Sequence, residues 1–269
     1  MARVLIACEY SGRVRQAFRN RGHDAWSCDL LPADDGSPHH YQGDCFDLDW
    51  SGFDLVIAHP PCTYLTIAAE WAYKDDPGRV MKPGSLFGEA RREARREALA
   101  FIERIWNQPV SRLCVENPVG VINKSLPAMP KPQYIQPWWF GEDASKKTGL
   151  WLRGLPPLTQ HHTPKAPRGW ELVQYTADCD PDSDGWCGVR DVDPAQCDYI
   201  GPTEDDVNYR VIDGVMFGTR LHPAPPMRWS NQTDSGQNKL PPSADRWKLR
   251  STTYQGIADA MAEQWGALL

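Results

Sequence analysis

The sequence predicts an α/β protein with a mostly parallel sheet, helices on both of its faces and a smaller irregular region. Short apolar runs, of the kind that forms fully buried strands, occur at 3–8, 55–58 and 112–115. Segments with apolar residues at helical spacing follow at 13–21 and 89–106. This alternation of strand and helix is typical of a parallel sheet.

The first predicted unit is a strand, a turn and a helix. Arg3–Cys8 is the strand, the turn contains Glu9, Ser11 and Gly12, and the helix covers Arg13–Arg21. A turn that leads from a strand into a helix N-terminus is a site at which nucleotide-like ligands bind. A plain turn without a ligand fits the same residues, so both interpretations stay open.

Acidic residues follow the next predicted strand. The strand Asp24–Cys28 ends on Asp29, and Asp44 comes shortly after, behind Gln42-Gly43. An acid at such a strand end can accept hydrogen bonds from both hydroxyls of a ribose. An aspartate after a strand can also be a turn or capping residue.

The central strand ends on a cysteine. The apolar run Leu55–Ala58 is stopped by Pro60 and Pro61, which cannot continue a strand ladder, and Cys62 follows directly. Open α/β sheets place their chemistry at the carboxyl ends of such strands. A buried structural cysteine is the plainer interpretation, because free cysteine is among the most buried residue types.

A second strand end has the same form. Arg112–Val115 is followed by Glu116 and Asn117, and then by Pro118. One strand end therefore offers a nucleophile and the other a carboxylate. Together they predict a constellation for covalent catalysis.

Pro61-Cys62 and Glu116-Asn117, in this order and at about this spacing, resemble the nucleophile loop and the Glu-Asn pair of the cytosine-C5 DNA methyltransferases, in a small, divergent, phage-like form. The resemblance implies a Rossmann-like sheet and S-adenosylmethionine as methyl donor. It also implies double-stranded DNA as substrate, with a cytosine flipped out of the helix and attacked by Cys62. Glu116 would contact the flipped base, and Asn117 would help to fix the turn.

The same resemblance implies a cofactor pocket. Asp29 would hold the ribose and Asp44 the adenine. Gly256 would belong to the family's closing motif, and the helix that follows it is also predicted to be an amphipathic core helix. The chain departs from the family where Glu9 and Ser11 replace glycines and Ala7 replaces an aromatic residue. The implied cofactor-binding residues are Cys8, Glu9, Ser11, Gly12, Asp29, Asp44, Pro60 and Gly256.

A basic segment corresponds to the family's Gln-x-Arg-x-Arg motif. Lys146 would stand for the first arginine and Thr148 for the second, and the glutamine is absent. Lysine can hold a base oxygen or a phosphate, but as a point charge and not as a fork. Lys146 is therefore a candidate catalytic residue, and its charge is expected to lower the pKa of Cys62.

Residues 158–249 form the predicted target-recognition region, and 1–157 with 250–269 form the catalytic domain. An acidic run at 178–206 precedes a basic, amide-rich run, whose side chains suit base edges and phosphates, although a polar surface loop would have the same composition. The candidate DNA-binding residues are Asn231, Gln237, Asn238, Lys239, Arg246, Lys248 and Arg250.

No metal ligands are assigned, although two sets of residues have some features of a metal site. Asp180, Asp182 and Asp184, with Asp191 further on, have the spacing of a calcium loop, although aspartate replaces the closing glutamate. A zinc site is conceivable from the cysteines of the same region, but no close Cys-x-x-Cys pair is present. The residues concerned are Cys179, Cys187 and Cys197, with His161 or His162.

Composition bounds the function. The 269 residues are 41% hydrophobic and carry a net charge of -6, so any contact with DNA must be local. No long apolar run and no signal peptide are evident, and the eight cysteines are scattered, which predicts a reduced, cytoplasmic protein with no membrane partner. An RNA cytosine methyltransferase, a user of a modified S-adenosyl donor, and a catalytically idle DNA-binding protein remain alternatives.

Overall fold

The structure is a computed structural model. It describes residues 1–67, 69–76, 78, 84–160, 229–232, 239–240, 243 and 246–269, and the backbone of the strands at 170–175, 207–212 and 215–221. The chain divides into two compact units. The first contains 1–142, 146–159 and 243–269, and the second contains 143–145 and 160–242. Residues 243–249, which the sequence analysis assigns to the recognition region, therefore belong with the first unit.

A seven-stranded mixed sheet organises the first unit. Its strands are β1 (Arg3–Ala7), β2 (Asp24–Asp29), β3 (His40–Gln42), β4 (Leu55–Ala58), β5 (Leu113–Pro118), β6 (Gln133–Ile135) and β7 (Thr148–Arg153). They are ordered β3-β2-β1-β4-β5-β7-β6. The first five strands pair in parallel, and β7 runs antiparallel to both β5 and β6.

Helices cover both faces of this sheet. Along β1, Val4 and Ile6 pack in one cluster with the buried residues of α1 (Arg13–Asn20) and α5 (Gln255–Gln264), whereas Leu5 and Ala7 pack in another with those of α2 (Gly88–Trp106). This alternation follows from the two-residue repeat of a strand. The predicted α/β class is confirmed. The helices are α1 (Arg13–Asn20), α2 (Gly88–Trp106), α3 (Ile122–Ser125), α4 (Arg246–Ser251) and α5 (Gln255–Gln264).

The ends of β4 and β5 differ from each other. Leu55–Ala58 is fully buried and stops before the prolines, as predicted. In contrast, β5 does not stop at Val115 but continues through Glu116 and Asn117 to Pro118. The reason is that β7 pairs along its whole length, and Pro118 takes the last position, where a missing N–H costs least. Glu116 and Asn117 therefore lie on a strand and not on a loop.

The sheet has a topological switch point between β1 and β4. From β1 the chain passes through α1 to β2 on one side, and from β4 it passes through α2 to β5 on the other. Ligands of open α/β sheets bind outside the carboxyl ends of the strands at such a point. The site is therefore expected at the carboxyl ends of β1, β2, β4 and β5.

The second unit contains a three-stranded antiparallel sheet in the order β8-β10-β9. The sequence analysis predicts an irregular region, and this sheet corrects that prediction. The sequence between β9 and β10 is Asp213-Gly214, a dipeptide typical of two-residue hairpins, and it is the sequence signal for this pair of strands. The strands are β8 (Trp170–Tyr175), β9 (Val207–Ile212) and β10 (Val215–Leu221).

Candidate functional site at the carboxyl edge of the sheet

A cavity of about 150 Å³ lies at the carboxyl ends of β1 and β2. Three of the predicted cofactor-binding residues line it, namely Cys8, Asp29 and Asp44. The turn that leads to Cys62 contributes Pro61, so the cavity reaches toward the candidate nucleophile. The other lining residues are Cys28, Leu30, Gly43, Cys45 and Phe101.

Both acids of the cavity are oriented by backbone N–H groups. Asp29 Oδ1 accepts a hydrogen bond from the N–H of Leu31 at 2.9 Å. Asp44 Oδ1 accepts one from the N–H of Phe46, also at 2.9 Å. Burial raises the pKa of Asp29, and the Leu31 N–H partly opposes this rise. These bonds fix the orientation of both carboxylates in the cavity wall.

Neutral thiols form much of the remaining wall. Burial raises the pKa of Cys28 to about 12, and its Sγ donates to the carbonyl of Gly43 at 3.4 Å. A hydrogen bond with Cys45 raises the pKa of Cys8 well above its ordinary value, and burial adds to the rise. Sequence reasoning identified Cys8 but missed Cys28 and Cys45. The missed signal is that Cys28 is the last apolar position before Asp29.

Glu9, Ser11 and Gly12 shape the first turn without lining the cavity. The carboxylate of Glu9, which is 4% exposed, accepts the N–H groups of Val14 at 2.7 Å and Arg15 at 3.2 Å. The hydroxyl of Ser11 donates to the same carboxylate at 3.3 Å. The chain's own carboxylate thus caps the positive end of α1, where the resemblance would place part of the ligand.

Glycine is required at position 12 for two reasons. Its φ is 71°, in the left-handed region, and a side chain there would collide with the guanidinium of Arg15. Arg15 is fully buried and pairs with Ser27 and Asp35. The conformation of this turn is therefore explained by packing of α1 alone.

Two further predicted cofactor residues, Pro60 and Gly256, do not line the cavity. The carbonyl of Pro60 accepts a hydrogen bond from Asn117 Nδ2 at 2.9 Å, which ties the proline turn to β5. Gly256 lies in the first turn of α5, where its N–H donates to Glu142 at 2.9 Å. A side chain at Gly256 would collide with the carbonyl of Phe140, so close packing explains this glycine.

Cys62 is partly exposed and is a thiol in the resting protein. Burial raises its pKa, the charge of Glu116 raises it further, and Lys146 and Arg250 oppose the rise only in part. The charge of Lys146 lowers the pKa of Cys62, as expected, but the net shift is upward. The reason is that desolvation and a nearby carboxylate together outweigh two cations.

Glu116 is held ionised beside this thiol. Burial alone would raise its pKa, but the hydrogen bond with His59 and the charge of Lys146 bring the pKa below its ordinary value. His59 Nδ1 lies 3.2 Å from Glu116 Oε2. Sequence reasoning missed His59, although a lone polar residue between a buried strand and two prolines was a signal. The site thus pairs a neutral thiol with an anionic carboxylate.

Lys146 joins a short basic helix to the site. Its Nζ donates to the carbonyl of Arg250 at 3.0 Å, at the end of α4. Thr148, which is buried, donates its hydroxyl to the carbonyl of Lys146 at 3.2 Å. Lys146, Lys248 and Arg250 form what we call the basic rim. The sequence analysis places Arg246 and Lys248 in the recognition region, whereas the structure places both in the first unit, together with Arg250.

Within the second unit, Asn231 is engaged by the backbone. Its Oδ1 accepts the N–H of Ser145 at 3.1 Å, and its Nδ2 donates to the carbonyl of Ser145 at 3.0 Å. Lys239 is exposed, and its N–H donates to the carbonyl of Asn231 at 3.0 Å. Gln237 and Asn238 lie outside the described residues. Among the described residues of this unit, Lys239 is thus a predicted DNA contact with an exposed side chain.

The segment that follows Cys62 is held from two sides. Arg95 donates to the carbonyl of Tyr64 at 2.9 Å and to Glu70 at 2.6 Å, and its guanidinium lies 3.4 Å from the ring centroid of Tyr73. From the other side, the N–H of Val121 donates to the carbonyl of Leu65 at 2.8 Å. The side chain of Arg95 is 16% exposed, so this cation of α2 packs against the segment instead of facing solvent.

The described part of the chain contains neither a metal-binding cluster nor a membrane-spanning helix. No group of three or more His, Cys, Asp or Glu side chains there is placed to hold a metal ion. The candidate ligands at 161–162 and 179–197 lie outside the described residues. No helix among the described residues has the length and apolar character that crossing a bilayer requires.

Comparisons with known proteins add no relative. No protein-family model matches the chain, and no curated protein matches it at a significant level.

Proposed function

We propose that the chain is a methyltransferase that transfers a methyl group from S-adenosylmethionine to C5 of a cytosine in double-stranded DNA. One observation carries the proposal. The Cys62 thiol and the Glu116 carboxylate lie at the ends of two paired parallel strands, and they are close enough for the charge of Glu116 to act on the thiol. A nucleophile beside a proton acceptor is what covalent activation of a pyrimidine needs.

The lining of the cavity next to this pair suits a nucleoside. Asp29 and Asp44 present oriented carboxylates, which suit ribose hydroxyls and an adenine amino group, and neutral thiols with Leu30 and Phe101 suit the flat apolar faces of a base. S-adenosylmethionine would supply an electrophilic methyl group when it is bound. Because Glu9 occupies the N-terminus of α1, the carboxylate of the methionine end is expected to contact other residues.

The protons of the reaction balance within the site. Cys62 gives its proton to Glu116, and its sulfur attacks C6 of the flipped cytosine. As the C6–S bond forms, Glu116 passes the proton to N3, so C5 gains the electron density to take the methyl group. A base removes the C5 proton, the C6–S bond breaks, and the N3 proton returns through Glu116 to the thiolate. One proton, from C5, is released per turnover.

The basic rim supports a nucleic acid as the substrate. Lys146 and Arg250 act electrostatically on Cys62, so cations stand beside the candidate nucleophile of a protein whose net charge is -6. Local cations at a reactive site suit the phosphates that flank a flipped nucleotide. A base taken out of the helix would then lie between the rim and Glu116.

Transfer of labelled methyl groups tests the proposal. Wild type and Cys62→Ser are incubated with labelled S-adenosylmethionine and either duplex DNA or tRNA. We expect label at C5 of cytosine in DNA with wild type and none with Cys62→Ser, whose cofactor affinity should be unchanged. Label in tRNA alone would make the chain an RNA methyltransferase.

Binding measurements separate the remaining alternatives. DNA binding without any affinity for S-adenosylmethionine would contradict the proposal and favour a catalytically idle DNA-binding protein or a user of a modified donor. If the chain is active, bisulfite sequencing of host DNA after expression would give its target sequence.

A further inference from the structure

His59 occupies an unusual place for an imidazole. It follows β4 directly, and its N–H donates to the carbonyl of Ala7 at 2.9 Å, so its backbone is fixed against β1. Its side chain is 7% exposed, and Nδ1 lies 3.2 Å from Oε2 of Glu116, which is 15% exposed. The two residues are 57 positions apart in sequence, so only the fold brings them together.

The protonation of this pair follows from its hydrogen bonds. Because an ionised carboxylate can only accept, the proton between the two groups belongs to Nδ1 of His59. Nε2 is buried and has no hydrogen-bonding partner among the described residues. The hydrogen bond therefore joins a protonated Nδ1 of His59 to an anionic Glu116.

Other charged groups near Glu116 do not fix its orientation. Lys146 acts on the carboxylate through its charge, but its Nζ donates to the carbonyl of Arg250. Cys62 and Cys114 respond to the charge of Glu116 and are themselves thiols. Among the described residues, His59 is therefore the side chain whose hydrogen bond holds a given oxygen of Glu116.

We propose that His59 is a positioning residue for the reaction proposed above, holding Oε2 of Glu116 so that Oε1 receives the Cys62 proton and delivers it to the base. This inference rests on the proposed function. Without His59 the Glu116 carboxylate can rotate, and in a buried site it tends to take up a proton before Cys62 supplies one. His59 touches neither the sulfur nor the base in this role.

Substitution at His59 and Glu116 gives the kinetic test. We expect His59→Ala to lower kcat about 100-fold, within the range of a lost acid–base contribution, with little change in KM for the cofactor. His59→Asn, which places an amide donor near the position of Nδ1, should recover most of that loss. The double variant His59→Ala/Glu116→Gln should be no slower than Glu116→Gln alone, because His59 acts through Glu116.

The opposite results would overturn the inference. They are an undiminished kcat in His59→Ala, a further loss on adding His59→Ala to Glu116→Gln, or a folded His59→Asn as slow as His59→Ala. Folding is checked by circular dichroism and by calorimetric affinity for the cofactor, which none of these changes should alter.

Nitrogen NMR of the histidine rings provides a readout that needs no activity. We expect the ring nitrogen shifts of His59 to show a proton on Nδ1 in wild type, and to change in Glu116→Gln. A wild type that transfers no methyl group overturns the proposed function, and the role of His59 falls with it. An active wild type whose His59 is protonated at Nε2 alone overturns the inference while the proposed function stands.

Discussion

Cysteines lie at two places along the carboxyl edge of the sheet, and the two places differ in what surrounds the thiol. Around the cavity, a hydrogen bond with Cys45 and burial raise the pKa of Cys8, and burial raises that of Cys28. At the end of β4, burial also raises the pKa of Cys62, but two cations, Lys146 and Arg250, oppose it. The main influences on the pKa of Cys8 and Cys28 all raise it, whereas the pKa of Cys62 is raised by some groups and lowered by others.

The comparison teaches that a raised pKa alone does not separate a wall residue from a nucleophile. What separates them is a carboxylate with a lowered pKa and two cations that oppose the rise of the thiol pKa. Glu116 stands beside Cys62 with a pKa held low against burial by His59 and Lys146. Around the cavity, Cys8 and Cys28 instead border each other, Cys45 and the carboxylates that are expected to bind a ligand. The two places should therefore respond differently to the same substitution.

Replacing each cysteine by serine should give the largest contrast. Cys62→Ser should lower kcat by at least about 10³-fold with cofactor affinity unchanged, because the nucleophile is lost and the cavity is not. Cys8→Ser should weaken cofactor binding and leave kcat within a few-fold. Steady-state kinetics and calorimetry on both variants check this. A Cys8→Ser variant without activity at saturating cofactor would reverse the assignment.

Removal of the cavity acids should affect binding and not the chemistry. Asp29→Ala should weaken S-adenosylmethionine binding by about 1–3 kcal/mol, the scale of lost hydrogen bonds to a charged group. Asp29→Asn, which keeps an acceptor oxygen, is the matched control and should lose less. Asp44→Ala is expected to show the same direction. Unchanged calorimetric affinity in both alanine variants would place the pocket elsewhere.

The rate at which iodoacetamide alkylates Cys62 should depend on Glu116, which raises the pKa of the thiol, and on Lys146, which lowers it. Because the folded-state pKa is raised, the rate should be low at neutral pH and should increase as pH rises past the ordinary value of 9.0. Glu116→Gln removes a negative charge, lowers the pKa and should speed alkylation at a given pH up to about tenfold. Lys146→Met should slow it.

Peptide mass spectrometry separates Cys62 from the other cysteines in this assay. Equal rates in wild type, Glu116→Gln and Lys146→Met would mean that neither group lies near the thiol. Cys8 provides the internal reference, since its alkylation should respond to neither substitution.

The basic rim should give the smallest effects, because each phosphate contact contributes modestly. Lys248→Ala should weaken DNA binding a few-fold and reduce the slope of log K against log salt by about one, and Arg246→Ala should act in the same direction. Lys239→Ala, in the second unit, is the matched comparison. Fluorescence anisotropy across a salt series measures this. If no variant changes affinity at any salt concentration, neither unit contacts DNA through these residues.

Much of the frame could be predicted from sequence because it depends on local pattern. The fully buried run Leu55–Ala58, the stop at Pro60-Pro61 and the placement of Asp29 at a strand end all follow from residues adjacent in the chain. The extension of β5 through Glu116 could not be predicted, since it depends on pairing with β7.

The site's electrostatics depend on contacts that the sequence does not display. The use of Glu9 as a cap requires the geometry of α1, and the hydrogen bond between His59 and Glu116 requires two neighbouring strands. The attachment of α4 to Lys146 joins residues 104 positions apart. The sign of the pKa shift at Cys62 depends on burial against several charges, and only the folded chain sets that balance.

The most direct test of the central claim, that Cys62 adds to a cytosine beside Glu116, is covalent trapping on DNA that carries 5-fluorocytosine at the target. Once C5 has taken the methyl group, fluorine cannot leave as a cation, so the C6–S bond cannot break. We predict a cofactor-dependent adduct that survives denaturation, with mass spectrometry placing the modified base on Cys62 and slower formation in Glu116→Gln. An adduct on another cysteine, or none with a wild type that binds both DNA and cofactor, would contradict the account.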